Sequence, residues 1–88
     1  MNIEFNGDEW YDHQRRKVVW FRATVDDKVI DCGVSLKALT DHYGAFQDDP
    51  LPAFRGHRDA IRHAAAKLIT DRRFEDDGTV IVRSKDLD

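Results

Sequence analysis

The most constraining feature of the chain is a pair of alternating apolar runs separated by Asp26-Asp27. Between Val18 and Val25, the side chains of Val19, Phe21, Ala23 and Val25 fall on one face of a strand. Val18, Trp20, Arg22 and Thr24 fall on the other, because side chains alternate with a period of two. The first set is wholly apolar and therefore faces a core. After the acidic turn, Ile30, Cys32 and Val34 alternate with Asp31 and Gly33, so a second strand opens at Lys28 or Val29. Two strands joined by so short a turn pair antiparallel, with their apolar faces side by side. Any fold open to this chain must cover one face of that hairpin.

The rest of the chain supplies the cover. Ile3 and Phe5 flank Glu4 in a short first strand, which Asn6-Gly7-Asp8 is expected to end. Trp10 and Tyr11 then fall in a polar loop, placed to lid one end of the core. Ser35 is a good N-cap, Leu36, Leu39, Thr40 and Tyr43 follow at helical spacing, and Gly44 stands where a C′ glycine belongs. A two-turn helix over Leu36 to Tyr43 follows. Asp49-Pro50 opens a second helix, expected to run from Pro50 to Arg73. Its core stripe is Phe54, Ile61, Ala65 and Leu68, widened by Ala64 and Ile69, with Gly56 a weak spot near its start. Asp76-Asp77-Gly78 is a turn, Thr79 to Val82 a final strand, and residues 84–88 a frayed tail. With 88 residues the chain reads as one domain, 1–88. The order is strand, strand, strand, helix, helix, strand. The expected class is α+β: a mostly antiparallel sheet with two helices packed on one face. The pattern leaves the placement of the last strand open.

Composition limits location and partners. A net charge of −3 gives no global attraction to nucleic acid or to anionic membranes. Cys32 is the single cysteine, so neither an intramolecular disulfide nor a thiolate metal cage can form. A small domain without disulfides suits a reducing compartment. Met1 to Glu9 carries Glu4, Asp8 and Glu9 and no apolar run, so no signal peptide is expected. No stretch approaches the roughly 18 apolar residues of a membrane span. A cytoplasmic location is expected by elimination.

The run Val18 to Phe21, then Val29 to Ser35 leading into Leu39, then Ala53-Phe54 with His57-Arg58 and Ile61, resembles domain of unknown function family 1488. The early Glu9-Trp10 also fits, and the resemblance covers nearly the whole chain. These are mostly core and cap residues. The resemblance implies a small bacterial cytoplasmic α+β domain, and brings with it no activity, cofactor or catalytic residue.

Among residues that could carry chemistry, the second helix is the most distinctive. Arg55, Arg58, Arg62, Lys67, Arg72 and Arg73 lie between Phe54 and Arg73, opposed by Asp59 and Asp71 alone. On one continuous helix, Arg55, Arg62 and Arg73 would share a narrow stripe, able to grip phosphates or an acidic partner. A solvated helix flank that balances acids elsewhere outweighs that reading about three to one, since the overall charge is negative. Arg58 lies at the edge of the apolar face, where it either snorkels its head out or meets a buried carboxylate, with Asp31 or Asp41 as the partner in view; a structural ion pair outweighs an anion-binding arginine in a cleft. His13, His42, His57 and His63 include no i,i+4 pair, so no metal site is expected. Cys32 reads as a small core residue and Ser35 as a helix cap. The Asp-Asp pairs at 26–27, 48–49 and 76–77 read as turns. No Gly-rich phosphate loop is present.

No motif in the chain specifies an activity. The leading expectation is a protein-interaction or assembly module without catalysis and without cofactors. It rests on Val18 and Trp20 on the second sheet face, with a second copy (a homodimer) or another protein as partner. The opposing reading folds Trp10 and Tyr11 over that face. The alternative function is nucleic-acid or anionic-ligand binding through Arg55, Arg58, Arg62 and Arg73, with nucleic acid not favoured. An enzyme ranks below both, because no nucleophile–base pair or metal spacing is present.

Overall fold

The computed structural model describes residues 2–12, 14 and 17–88, with backbone alone at 6–8. It is an α+β domain: strands β1 (Ile3–Asp12), β2 (Val18–Val25) and β3 (Lys28–Ser35), helices α1 (Leu36–Tyr43), α2 (Leu51–Gly56) and α3 (Arg58–Thr70), strand β4 (Val80–Val82) and helix α4 (Ser84–Leu87). The sheet runs β1-β2-β3-β4, antiparallel except for the last pair.

The β2–β3 hairpin closes with Val25 opposite Lys28. Its two turn residues both adopt left-handed backbone, Asp26 at φ 48° and Asp27 at φ 72°. That is the type I′ arrangement, whose twist matches the flanking strands. Aspartate accepts it better than most residues because its short polar side chain tolerates the left-handed region. The register then sets Phe21 opposite Cys32 and Val19 opposite Val34, so the two apolar faces merge.

β4 joins beside β3 and runs parallel to it, with Cys32 opposite Val80 and Val34 opposite Val82. Parallel neighbours require a long crossover, which the three intervening helices provide. The core lies between this face and the helices. Phe54, Leu39, Ile61 and Ala65 are fully buried against Val19, Cys32, Val34, Val80 and Val82. Phe54 sits with its ring 5.4 Å from that of Phe21, joining α2 to the centre of the sheet.

α1 has the caps expected of it. Ser35 accepts the Ala38 N–H, and Gly44, at φ 63°, donates its N–H to the last turn. Three other expectations need correction. First, Asn6-Gly7-Asp8 does not end β1. The strand continues to Asp12, and the breaker is absorbed as a bulge: β1 goes from Asn6 to Trp10 while β2 goes only from Arg22 to Trp20. Trp10 and Tyr11 are therefore ladder residues and not loop residues. Second, the helix expected over Pro50 to Arg73 is two helices. Gly56 has weak helix preference, and His57 takes φ −126°, outside the helical region, with its ring stacked on Tyr43 at 3.9 Å and 5°. Third, the expected frayed tail holds α4. Ser84 Oγ donates to Asp41 at 2.8 Å, the Ser84 carbonyl lies 2.8 Å from His42 Nε2, and Leu87 packs on the core. Four helices thus stand where two were expected.

Candidate functional site

The bulge decides where the most unusual side chain goes. Beyond it Trp10 pairs with Trp20 on the helix-free face, and Glu9 points to the opposite side, beneath α2 and α3. Glu9 is a carboxylate only 9% exposed. Such a group persists in a small domain only with cationic partners. Arg58 Nη2 donates to its Oε1 at 2.8 Å. Arg55 Nε approaches the same oxygen at 3.7 Å, and Arg62 Nη2 lies 3.9 Å from Oε2. The Arg62 guanidinium also sits over the Phe5 ring, 5.6 Å from its centre. Three guanidinium groups thus face one carboxylate. Two of their donors, Nε of Arg58 and Nε of Arg62, are buried without an acceptor.

The expected Arg55–Arg62–Arg73 stripe does not exist, because the break at His57 removes the common helix axis. The structure instead brings Arg55, Arg58 and Arg62 together. It leaves Arg73 beyond the end of α3, lining a separate hollow with Lys67, Asp71, Lys85 and Asp88. Arg58 does meet a buried carboxylate, but it is Glu9. Of the two partners in view, Asp31 faces Arg22 at 3.4 Å and Asp41 binds Lys37 at 2.9 Å. Sequence reasoning missed Glu9 because the Asn-Gly-Asp segment read as the end of a strand. The available signal was its position next to Trp10, in a chain whose cations were concentrated on one distant helix.

The second region is the other face of the sheet. Val18 and Trp20 are 3% and 9% exposed and form a small cluster with Ile81. Gly33 beneath them makes room, since a Cβ there would overlap Val18 Cγ1 and lie 3.2 Å from Trp20 and Ile81. Neither Val18 nor Trp20 is the exposed patch that the alternation suggested. Trp10 lies against Trp20 in a tilted contact, with centroids 6.2 Å apart and the ring planes at 34°, and takes the exposed position, at 54%. Tyr11, one residue on, packs against the core side. A hollow of about 330 Å³ opens beside the two tryptophans, edged by Arg22, Asp31 and Thr79.

Four other titratable groups have contacts that define their surroundings. Burial, and then Asp31, push the Cys32 thiol up to about 12, so it is protonated and unreactive. Hydrogen bonds from Lys37 and Ser84 hold the Asp41 carboxyl below its usual range. Arg83 grips Glu75 through two hydrogen bonds of 2.6 and 3.3 Å, which raises the guanidinium further. His42 lies 3.2 Å from Asp88 Oδ1, and His13 lies outside the described residues. No three His, Cys, Asp or Glu side chains among the described residues are grouped so as to hold a metal ion. No helix among them is long and apolar enough to cross a membrane.

A mostly antiparallel four-stranded sheet with its core helices on one face, and a carboxylate set among arginines at the helix break, defines a small α+β class. The chain belongs to the family described as protein of unknown function DUF1488, whose model matches residues 3–82. It is similar to a crystal structure of a DUF1488 protein of unknown function from Shewanella loihica PV-4, at 29% identity and a TM-score of 0.81. That likeness covers 93% of this chain and 94% of the other. No curated protein matches the chain.

Proposed function

We propose that the protein is a small bacterial, cytoplasmic protein-interaction module without catalysis, and that it docks through the helix-free face of its sheet onto a second copy of itself. One observation carries this reading: Trp10 stands 54% exposed on a face whose neighbouring apolar groups, Val18, Trp20 and Ile81, are already buried. A half-exposed tryptophan leaning on a buried one is an unfinished aromatic cluster, the kind of rigid anchor that interfaces favour. The surroundings suit self-association. Arg22 and Asp31 lie on the same face, each with its side chain 58% exposed. In a two-fold interface each can exchange its partner for the one across the axis without leaving a charge unpaired.

The test is Trp10→Lys, followed by sedimentation velocity over a range of concentrations. Trp20→Lys is unsuitable, because it places a charge where the side chain is buried and would unfold the chain. The reading expects a wild-type dimer and a monomeric variant with an unchanged far-ultraviolet circular dichroism spectrum, whose melting temperature, unlike that of the wild type, does not rise with protein concentration. A wild-type protein that is monomeric at its highest soluble concentration removes it.

A further inference from the structure

We propose that the protein also associates end to end, Phe46 of one copy entering an apolar groove at the opposite end of the next. This contact is separate from the face around Trp10 and does not depend on it.

The plug is the loop between α1 and α2, residues 44–50. Its two feet are fixed. Ala45 is buried and donates its N–H to Leu39 O at 3.3 Å, and Pro50 is fully buried. Between them residues 46–49 are all exposed, and the Asp49 N–H closes them into a turn by donating to Phe46 O at 3.2 Å. Phe46 stands at the head of that turn, 79% exposed. An aromatic ring held in water by a pinned turn is already arranged for insertion, and little ordering remains to be done when it binds. Asp48 and Asp49 stand beside it, and residues 44–50 include no cation.

The groove lies at the other end of the sheet. β4 pairs only with Cys32 to Val34, so the first half of β3 has no strand beside it on that side. A hollow of about 480 Å³ opens there, lined by Val29, Ile69 and Phe74. Val29 is 62% exposed and Phe74 42%. With Trp10 and Phe46 they are the four large apolar side chains exposed among the described residues, so three of the four belong to the plug or to the groove. The charged residues of the lining are Lys28, Arg72 and Asp26, and the Asp26 carboxylate accepts the Asn2 N–H at 3.2 Å. Neither Lys28 nor Arg72 is in an ion pair among the described residues, and neither is Asp48 or Asp49. The cations at the rim therefore complement the acids beside Phe46, and this charge match makes a second copy the occupant. Gln47 borders a hollow with Lys17 and Ser35, where β3 ends, whereas the groove borders Asp26 and Lys28, where it begins. The 8 residues of β3 set the two about 25 Å apart. Patches at opposite ends cannot satisfy each other within one two-fold pair. They join head to tail, each pair leaving one plug and one groove free. One ring and two acids make a small contact, which belongs with the weak, transient interfaces. It is populated in the millimolar range, and Trp10→Lys protein stays monomeric at the lower concentrations used in sedimentation.

The experiment is an amide-shift NMR titration between two variants, each also carrying Trp10→Lys so that the two-fold contact is absent. Phe46→Ser lacks the plug and keeps the groove. Val29→Glu sets an acid in the groove and keeps the plug. Both positions are exposed, so neither change burdens the fold, and Phe74→Ser replaces Val29→Glu if that variant does not fold. With the first variant ¹⁵N-labelled and the second added, saturable shifts are expected at the amides of 28–30 and 72–74. With the labels reversed, the shifts are expected at 45–49. Either variant added to itself should give none, because a plug or a groove is missing from every molecule. Lys28→Glu with Arg72→Glu in the groove partner should weaken the contact about tenfold, and Asp48→Lys with Asp49→Lys in the plug partner should restore it. No shifts in the mixture at millimolar concentration overturn the proposal, leaving the Trp10 reading intact and Phe46 to a protein of another sequence. Shifts that appear when Phe46→Ser is added to itself overturn it too, as does a mixture whose shifts fall outside the loop and the groove.

Discussion

Gly33→Ala should destabilise the protein, although glycine within a strand is ordinarily a weakness. Alanine there relieves backbone entropy worth about 0.5–1 kcal/mol. Against that, the added methyl overlaps Val18 Cγ1 and lies 3.2 Å from Trp20 Cε3 and Ile81 Cδ1. None of the three can swing away freely, because Val18 and Ile81 are buried and Trp20 is held under Trp10. Overpacking of this kind costs about 1–3 kcal/mol. The balance runs from about zero to about 2.5 kcal/mol, and the direct overlap with Val18 places it in the upper part of that range, a loss of roughly 5–15 °C in melting temperature for a domain of this size. Urea and thermal unfolding followed by circular dichroism measure it, with the urea slope unchanged if only the native state is strained. A second variant isolates the cause. In a Val18→Ala background the worst overlap is gone, and Gly33→Ala should become neutral or mildly stabilising. If Gly33→Ala alone melts at or above the wild type, or costs the same in both backgrounds, the packing argument is wrong.

Two further outcomes follow from the local geometry. Arg72 closes α3 with left-handed backbone at φ 58°, while Arg73 N–H reaches back to Leu68 O at 2.9 Å. This is the position where helices place glycine, so Arg72→Gly should gain about 1 kcal/mol in chemical denaturation. Asp41 has its carboxyl pKa lowered by Lys37 and Ser84, so it binds protons less readily folded than unfolded. Its contribution is complete above the ordinary carboxylate value of about 4 and is lost as pH falls through the lowered folded value, and Asp41→Asn should flatten that part of the acid-unfolding curve.

The hairpin was legible because period-two alternation on both sides of an acidic turn admits one register, and Ser35 and Gly44 marked α1 with caps whose chemistry is local. The core side chains Val19, Phe21, Phe54 and Ile61 followed from the same patterns. The misreadings lay where tertiary contacts override local preference. Asn6-Gly7-Asp8 reads as a stop, yet the strand continues because Trp10 and Tyr11 gain ladder partners beyond it and Tyr11 packs on the core. The α2–α3 break rests on a stacking contact between His57 and Tyr43, which no helical periodicity encodes. The arginine cluster was half visible: its cations stood out by composition, but their common carboxylate lies 49 residues from Arg58 along the chain. Asp31 on β3 and Asp41 on α1 stood in elements that the patterns had already placed, while Glu9 lay in a segment read as a loop until the bulge carried β1 past it.

The parallel pairing of β3 with β4 orders events in time. The β2–β3 hairpin needs only its own two-residue turn and forms within microseconds, as isolated hairpins do. β4 has three residues and nothing to pair with until α1, α2 and α3 have carried the chain back across the sheet. Its arrival is a long loop closure, and such contacts set the pace of folding. Until then Cys32 and Val34 present an open, apolar strand edge to the solvent. The interval before β4 docks is when this protein is most exposed to sticking to its neighbours, and the speed with which the three helices form determines how long that interval lasts.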